Sequence, residues 1–204
     1  MQEAYIKDSA NSRGVPIIRE ESHKILIDYI KMYNPNKVLE IGTAVGYSGI
    51  AILKNCDGML TTIEHNSELV SEATANFKDA GLTSRVKIIN DDCLVQIAQM
   101  VAEDSFINYF DFIFLDGPKA QYGNMIEGLL MLLKPGGVIL ADNVLFRGYV
   151  SGEVKAPTKR FKTIVSRLKK FIDQFLNSPE LTNTKLIDIE DGMLFGIKKI
   201  NRNT

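Results

Sequence analysis

Short apolar runs of strand length alternate along the chain with longer stretches in which apolar residues recur every three or four positions. Residues 37–41 (Lys-Val-Leu-Glu-Ile) read as a short buried strand, followed by a glycine-containing turn and a helix over about 47–55. Residues 59–64 read as a second strand, and 67–80 as a helix that Gly81 stops. A third strand and helix cover 86–90 and 92–102, and a fourth pair covers 110–115 and about 122–133. Lys134-Pro135-Gly136-Gly137 reads as a turn into a fifth strand at 138–141. Five strand-then-helix units in succession predict an α/β fold, a mostly parallel sheet with helices on both faces. The ending departs from this rhythm. A long basic helix over about 158–176 precedes strand-like runs at 185–189 and 193–197, and the Asp191-Gly192 between them is a hairpin signal. The expected sheet therefore has seven strands and ends in a C-terminal antiparallel hairpin. With no internal repeat or linker in evidence, the expectation is one domain over 1–204, with 1–34 as an N-terminal helical segment.

Composition narrows the function classes. No apolar run approaches the ~20 residues that span a bilayer, and the first thirty residues contain acids and lack the apolar core of a signal peptide. Two cysteines (Cys56, Cys93) make no disulfide framework, and two histidines (His23, His65) make no conventional zinc site. A cytoplasmic protein without membrane partners is expected. The net charge of −1 hides an asymmetry: residues 145–170 carry Arg147, Lys155, Lys159, Arg160, Lys162, Arg167, Lys169 and Lys170 against Glu153 alone. That segment is +7 and the rest of the chain −8. Clustered cations of this kind suit a polyanion; the plainer reading is a solvated helix face.

In open α/β sheets, ligands bind beyond the carboxyl ends of the strands, so the residues there are the candidates. Glu40-Ile41-Gly42-Thr43-Ala44-Val45-Gly46-Tyr47-Ser48 follows the first strand. Its glycine spacing is neither that of a dinucleotide fold nor that of a P-loop, and a nucleoside with an amino-acid tail suits it better than a pyrophosphate. A tight strand-to-helix turn is the alternative. Glu64 ends the second strand, where a carboxylate can accept both hydroxyls of a ribose; it is also a neighbour of a helix cap. Asp92 and Cys93 follow the third strand, where an adenine edge would lie, although Asp92 equally suits a helix cap. Asp116 ends the fourth strand, with Lys119 three residues on, and Asp142-Asn143 ends the fifth. Two carboxylates and an amide are hard oxygen donors that suit Mg²⁺ or another divalent cation. A lysine beside such an ion loses proton affinity and becomes a usable base. Taken singly, either aspartate could be a loop cap.

Val38-Leu39-Glu40-Ile41-Gly42, Gly46-Tyr47-Ser48, Ile63-Glu64, Leu115-Asp116-Gly117-Pro118-Lys119 and Asp142-Asn143-Val144 resemble the class I, metal-dependent O-methyltransferases of the catechol and caffeoyl-CoA type. The resemblance runs from about residue 15 to 198 and implies a Rossmann-like methyltransferase fold with S-adenosylmethionine as methyl donor. By matching motifs it implies that Glu40, Gly42, Gly46 and Ser48 line the methionine end of the cofactor, that Glu64 holds the ribose and that Asp92 and Cys93 flank adenine. Ile18 falls where the N-terminal segment of such enzymes covers the cofactor. Asp116, Asp142 and Asn143 become the metal ligands, with Asp116 also near the cofactor and Lys119 the base. A homodimer is implied by the family and fits the apolar stripe of residues 19–32.

Asp142-Asn143-Val144-Leu145-Phe146-Arg147-Gly148, the basic stretch after it and the closing Asp191-Gly192-Met193 carry a narrower resemblance, to small bacterial enzymes that methylate 5-hydroxyuridine at the wobble position (34) of tRNA, giving 5-methoxyuridine. The chain has no tryptophan, and Pro118 stands where catechol enzymes carry one beside the lysine. The expected acceptor is accordingly the anticodon loop of a tRNA, rather than DNA, with Arg147, Lys159 and Arg160 on the RNA backbone. Alternatives are a small phenolic or coenzyme A ester acceptor, and a non-catalytic S-adenosylmethionine- or RNA-binding module.

Overall fold

The computed structural model describes residues 2–200. Seven strands, β1 (Lys37–Ile41), β2 (Met59–Glu64), β3 (Val86–Asn90), β4 (Phe110–Leu115), β5 (Leu133–Ala141), β6 (Leu181–Ile187) and β7 (Met193–Lys198), form one sheet in the order β3-β2-β1-β4-β5-β7-β6. The chain divides into two compact units, one ending at Gln96 and one beginning at Ile97.

The first unit opens with two helices, α1 (Gln2–Ser12) and α2 (Glu20–Tyr33). Asn34, in the left-handed conformation at φ 39°, ends α2, and its N–H returns to the Ile30 carbonyl. Strand β1 (Lys37–Ile41), α3 (Tyr47–Lys54), β2 (Met59–Glu64), α4 (Ser67–Asp79) and β3 (Val86–Asn90) follow, and α5 (Cys93–Ala102) starts before the unit ends. The three strands run parallel, Val38 beside Leu60 and Leu60 beside Val86. Val38, Leu39, Ile41, Leu60 and Ile63 are buried together with Ile50, Leu53 and Phe77 from the helices. Asn66 caps α4, its side chain accepting the Glu68 and Leu69 N–H groups. At the opposite end of the strands Arg85 donates to the Leu53, Cys56 and Gly58 carbonyls, satisfying acceptors at the end of α3 and in the loop after it.

The second unit contains β4 (Phe110–Leu115), α6 (Tyr122–Leu132), β5 (Leu133–Ala141), α7 (Lys159–Leu176), β6 (Leu181–Ile187) and β7 (Met193–Lys198). β4 and β5 are parallel, whereas β7 runs antiparallel to both β5 and β6. Phe112, Ile113, Phe114, Val138, Ile139 and Leu140 form the buried centre, with Leu129 and Leu132 from α6 and Leu168, Phe171 and Phe175 from α7.

Two boundaries differ from the expected ones. Strand β5 begins at Leu133, ahead of the Lys-Pro-Gly-Gly run, because Leu133 already pairs with Phe110 before the register slips and Val138 pairs with Phe112. The glycines and proline form an irregularity inside the pairing, a place where a residue without an N–H is tolerated. Strand β6 begins at Leu181 and stops at Ile187, four residues earlier at its start than the apolar run indicates. Its first half is Leu-Thr-Asn-Thr, and a register shift between Thr182 and Lys185 at left-handed Asn183 (φ 53°) breaks the alternation that the sequence pattern relies on.

Candidate active site

The first unit gathers most of the residues expected at the cofactor. After β1 the chain turns at Gly42 (φ 100°), Ala44 (φ 44°) and Gly46 (φ 83°), and the Gly42 and Thr43 N–H groups both donate to the Ile63 carbonyl. At Gly46 a Cβ would stand 3.0 Å from the Phe77 ring, so glycine is needed for both its dihedral and its space. Glu40 is fully buried beneath this turn. Its Oε1 accepts the Ser48 hydroxyl at 2.6 Å and its Oε2 the Thr62 hydroxyl at 2.7 Å. Since the Thr62 proton goes to Glu40, the 2.6 Å contact between Thr43 and Thr62 has Thr43 as donor. Burial pushes the Glu40 carboxyl up to about 7, against the pull of the Ser48 and Thr62 hydrogen bonds and with a further push from the Glu64 charge.

Glu64 is also buried, and its two oxygens accept the Ala44 and Asn66 N–H groups at 3.0 and 2.9 Å. It therefore ties the end of β2 to the glycine turn, and a carboxylate with two such bonds keeps lone pairs for ribose hydroxyls. Asp92 is exposed and acts as the cap of α5, accepting the Leu94 and Val95 N–H groups at 2.8 and 3.2 Å. Cys93 beside it is buried, which pushes its thiol up. Ile18 is buried in the segment between α1 and α2.

The second unit assembles the expected metal ligands. Leu115 and Ala141 are register partners in parallel β4 and β5, and the Asp142 N–H donates to the Leu115 carbonyl at 2.9 Å. Asp116 and Asp142 therefore leave neighbouring strands at the same level, where strand spacing is about 4.8 Å. The buried Tyr122 hydroxyl reaches the Asp142 carbonyl at 3.1 Å and the Leu115 carbonyl at 3.4 Å, spanning both strand ends. Lys119 Nζ lies 3.8 Å from Asp116 Oδ1. Asp142 is fully buried, its Oδ1 accepts the N–H of Asn143 at 2.7 Å, and Asn143 is left-handed at φ 58°. Among the described residues no three His, Cys, Asp or Glu side chains group as metal ligands; the expected set has two carboxylates and an amide. A carboxylate held in a fully buried position, with a second carboxylate and an amide at adjoining strand ends, fits a hard divalent cation.

Arg147, Lys159 and Arg160 are exposed and stand apart from these contacts. The Arg147 N–H is held by Asp191, and Lys159 and Arg160 open α7. All eight cations of the basic segment are exposed, and none is ion-paired with another described residue.

Thr43, Thr62, Tyr122 and Asp191 were not singled out by sequence reasoning as site residues. Thr62 had a signal, a polar residue within a buried strand, but only the register Glu40↔Thr62 gives it a partner. Tyr122 opens a helix and carries no motif.

A family model described as O-methyltransferase matches residues 4–199 of this sequence. The chain belongs to the O-methyltransferase family. Caffeoyl-CoA O-methyltransferase of Stellaria longipes is 29% identical over 84% of this chain and 72% of its own length. Catechol O-methyltransferase of Niastella koreensis is 34% identical over 72% of this chain and 67% of its own. Among solved structures, a Staphylococcus aureus protein provisionally assigned as a caffeoyl-CoA O-methyltransferase superposes with TM-score 0.86 at 30% identity, over 97% of this chain and 92% of the other. A Bacillus cereus O-methyltransferase, crystallised with SAH, has the same fold, with TM-score 0.82 at 24% identity, over 97% and 90% of the two chains. In this O-methyltransferase no helix among the described residues is long and apolar enough to cross a membrane.

Proposed function

We propose that this chain transfers the methyl group of S-adenosylmethionine to one hydroxyl of a small catechol-type or coenzyme A-linked phenolic acceptor, with a divalent cation held by Asp116, Asp142 and Asn143. The observation that carries the reading is the convergence of two carboxylates and an amide at the ends of β4 and β5 with Lys119 3.8 Å from Asp116. The names of the caffeoyl-CoA and catechol relatives favour a small acceptor over the tRNA expected from the sequence.

The cofactor supplies an electrophilic methyl on a sulfonium, and its glycine turn and Glu64 lie in the first unit. When bound, the cation supplies positive charge that stabilises the acceptor oxyanion. Lys119, as the neutral amine, takes the acceptor's hydroxyl proton on Nζ, and Asp116 then faces the ammonium that forms. Tyr122 holds the two strand ends that carry the ligands, so the acceptor oxygen is presented from a fixed position.

The test is turnover with S-adenosylmethionine, Mg²⁺ and either catechol or caffeoyl-CoA, read by mass spectrometry of the methylated product. Asp142→Ala is expected to bind S-adenosylmethionine almost as the wild type does and to lose metal-supported turnover; substantial metal-supported turnover by this variant would sink the assignment. A second reading, tRNA 5-hydroxyuridine as acceptor, is favoured by the eight exposed, un-ion-paired cations of residues 145–170. Loss of 5-methoxyuridine with accumulation of 5-hydroxyuridine in tRNA from cells lacking the gene would select it.

A further inference from the structure

The corner between β6 and β7 does more than reverse the chain. Asp191 is only 6% exposed, and its Oδ1 accepts the Arg147 N–H at 2.9 Å across 44 residues of sequence. Its carbonyl accepts the Leu145 N–H at 2.7 Å, and the carbonyl of Gly192 accepts the Val144 N–H at 3.0 Å. Gly192 (φ 72°) lies so close to Leu145 that a Cβ would stand 2.4 Å from its Cγ. Two residues of the corner thus take three N–H groups of the loop that follows Asn143.

That loop needs such holds. Asn143, Phe146 and Arg147 have φ of 58°, 48° and 57°. The left-handed region is disfavoured for residues with a side chain, more for Phe146 and Arg147 than for Asn143, and none of the three positions is a glycine. The strained path is coupled directly to a ligand, because the N–H of Asn143 is the donor to Asp142 Oδ1. Moving the backbone at Asn143 turns both the amide side chain and the carboxylate beside it.

We propose that Asp191 is a positioning residue for the metal-ligating pair Asp142–Asn143, its carboxylate fixing the left-handed turn at Arg147 that, with the backbone holds on Val144 and Leu145, keeps the loop in the path that sets both ligands. The inference rests on the reading of Asp142 and Asn143 as metal ligands. Asp191 has no part in proton or methyl transfer.

The experiment uses the full chain and Mn²⁺ as the probe, with free ion followed by electron paramagnetic resonance, for wild type, Asp191→Ala, Asp191→Asn and Asp191→Glu. Asp191→Ala is expected to weaken Mn²⁺ binding ~10-fold or more, the range found when residues that orient metal ligands are removed. Asp191→Asn keeps an oxygen for the Arg147 N–H and is expected to return close to wild-type affinity. Asp191→Glu keeps the charge but displaces the acceptor, and it too is expected to bind Mn²⁺ more weakly; it decides the matter if the alanine variant does not fold. S-Adenosylmethionine affinity, measured on the same samples, is expected to stay at the wild-type value. Unchanged Mn²⁺ affinity in the folded alanine or glutamate variant, with only a lowered thermal midpoint, overturns the inference and leaves the metal reading standing. Equal losses in the alanine and asparagine variants also overturn it, since the charge and not the hydrogen bond would then matter. A wild type that binds no Mn²⁺ overturns the metal reading, and this inference with it.

Discussion

Replacing Glu40 by glutamine tests how a buried carboxylate is tolerated beneath the glycine turn. The group is fully excluded from solvent, and two hydroxyl donors offset only part of its lost hydration, so its carboxyl rises from the ordinary 4.5 to about 7. In the unfolded chain it titrates at its ordinary value. Between these two values the native state holds a proton that the unfolded state lacks. The associated stability is fully present below about pH 4.5 and is lost as pH rises through about 7. The shift corresponds to roughly 3 kcal/mol, a large share of the stability of a domain. Glutamine does not titrate and keeps one acceptor oxygen for Ser48 or Thr62. Urea unfolding of both proteins at about pH 5, 6, 7 and 8 isolates the effect, because every other group titrates in both. The wild type is expected to lose stability relative to Glu40→Gln by up to ~1.4 kcal/mol per pH unit over this window, levelling off above about pH 8. Stability profiles that run parallel across the whole range would refute the reasoning.

Two further perturbations address the supports of the site. Tyr122→Phe removes the hydroxyl that spans the Leu115 and Asp142 carbonyls; it is expected to cost ~1 kcal/mol in chemical denaturation and, in steady-state kinetics, to lower kcat more than it raises KM for S-adenosylmethionine. Gly46→Ala combines a φ of 83° with a Cβ 3.0 Å from the Phe77 ring; it is expected to destabilise by ~1–2 kcal/mol and to weaken S-adenosylmethionine binding in calorimetry, while Mn²⁺ binding in the second unit stays as it was.

The strand ends show why some of the site was legible and some was not. Asp116, Lys119, Asp142 and Asn143 could be picked out because each follows an apolar run whose carboxyl end is where an α/β sheet binds ligands. Asp92 stood open between a ligand role and a helix cap, and the cap is what its hydrogen bonds form. Glu40 and Ser48 could be placed at the glycine turn, yet the part played by Thr62, and through it Thr43, depends on the β1–β2 register, which periodicity does not specify. Asp191-Gly192 was legible as a turn because Asp-Gly favours one. Its hold on Arg147 spans 44 positions, and local pattern carries no information at that range.

The order of strands and helices, the antiparallel ending and the carboxylates at the strand ends were thus determined by the sequence alone, since burial periodicity and turn chemistry are local and repeat in every unit. The irregular start of β5, the hydroxyl chain under Glu40, the Tyr122 bridge and the clamp of the hairpin corner on the loop after Asn143 were decided only in the tertiary structure. Each depends on how separate elements pack against one another, which sets the strand register and the partners that buried polar groups must find.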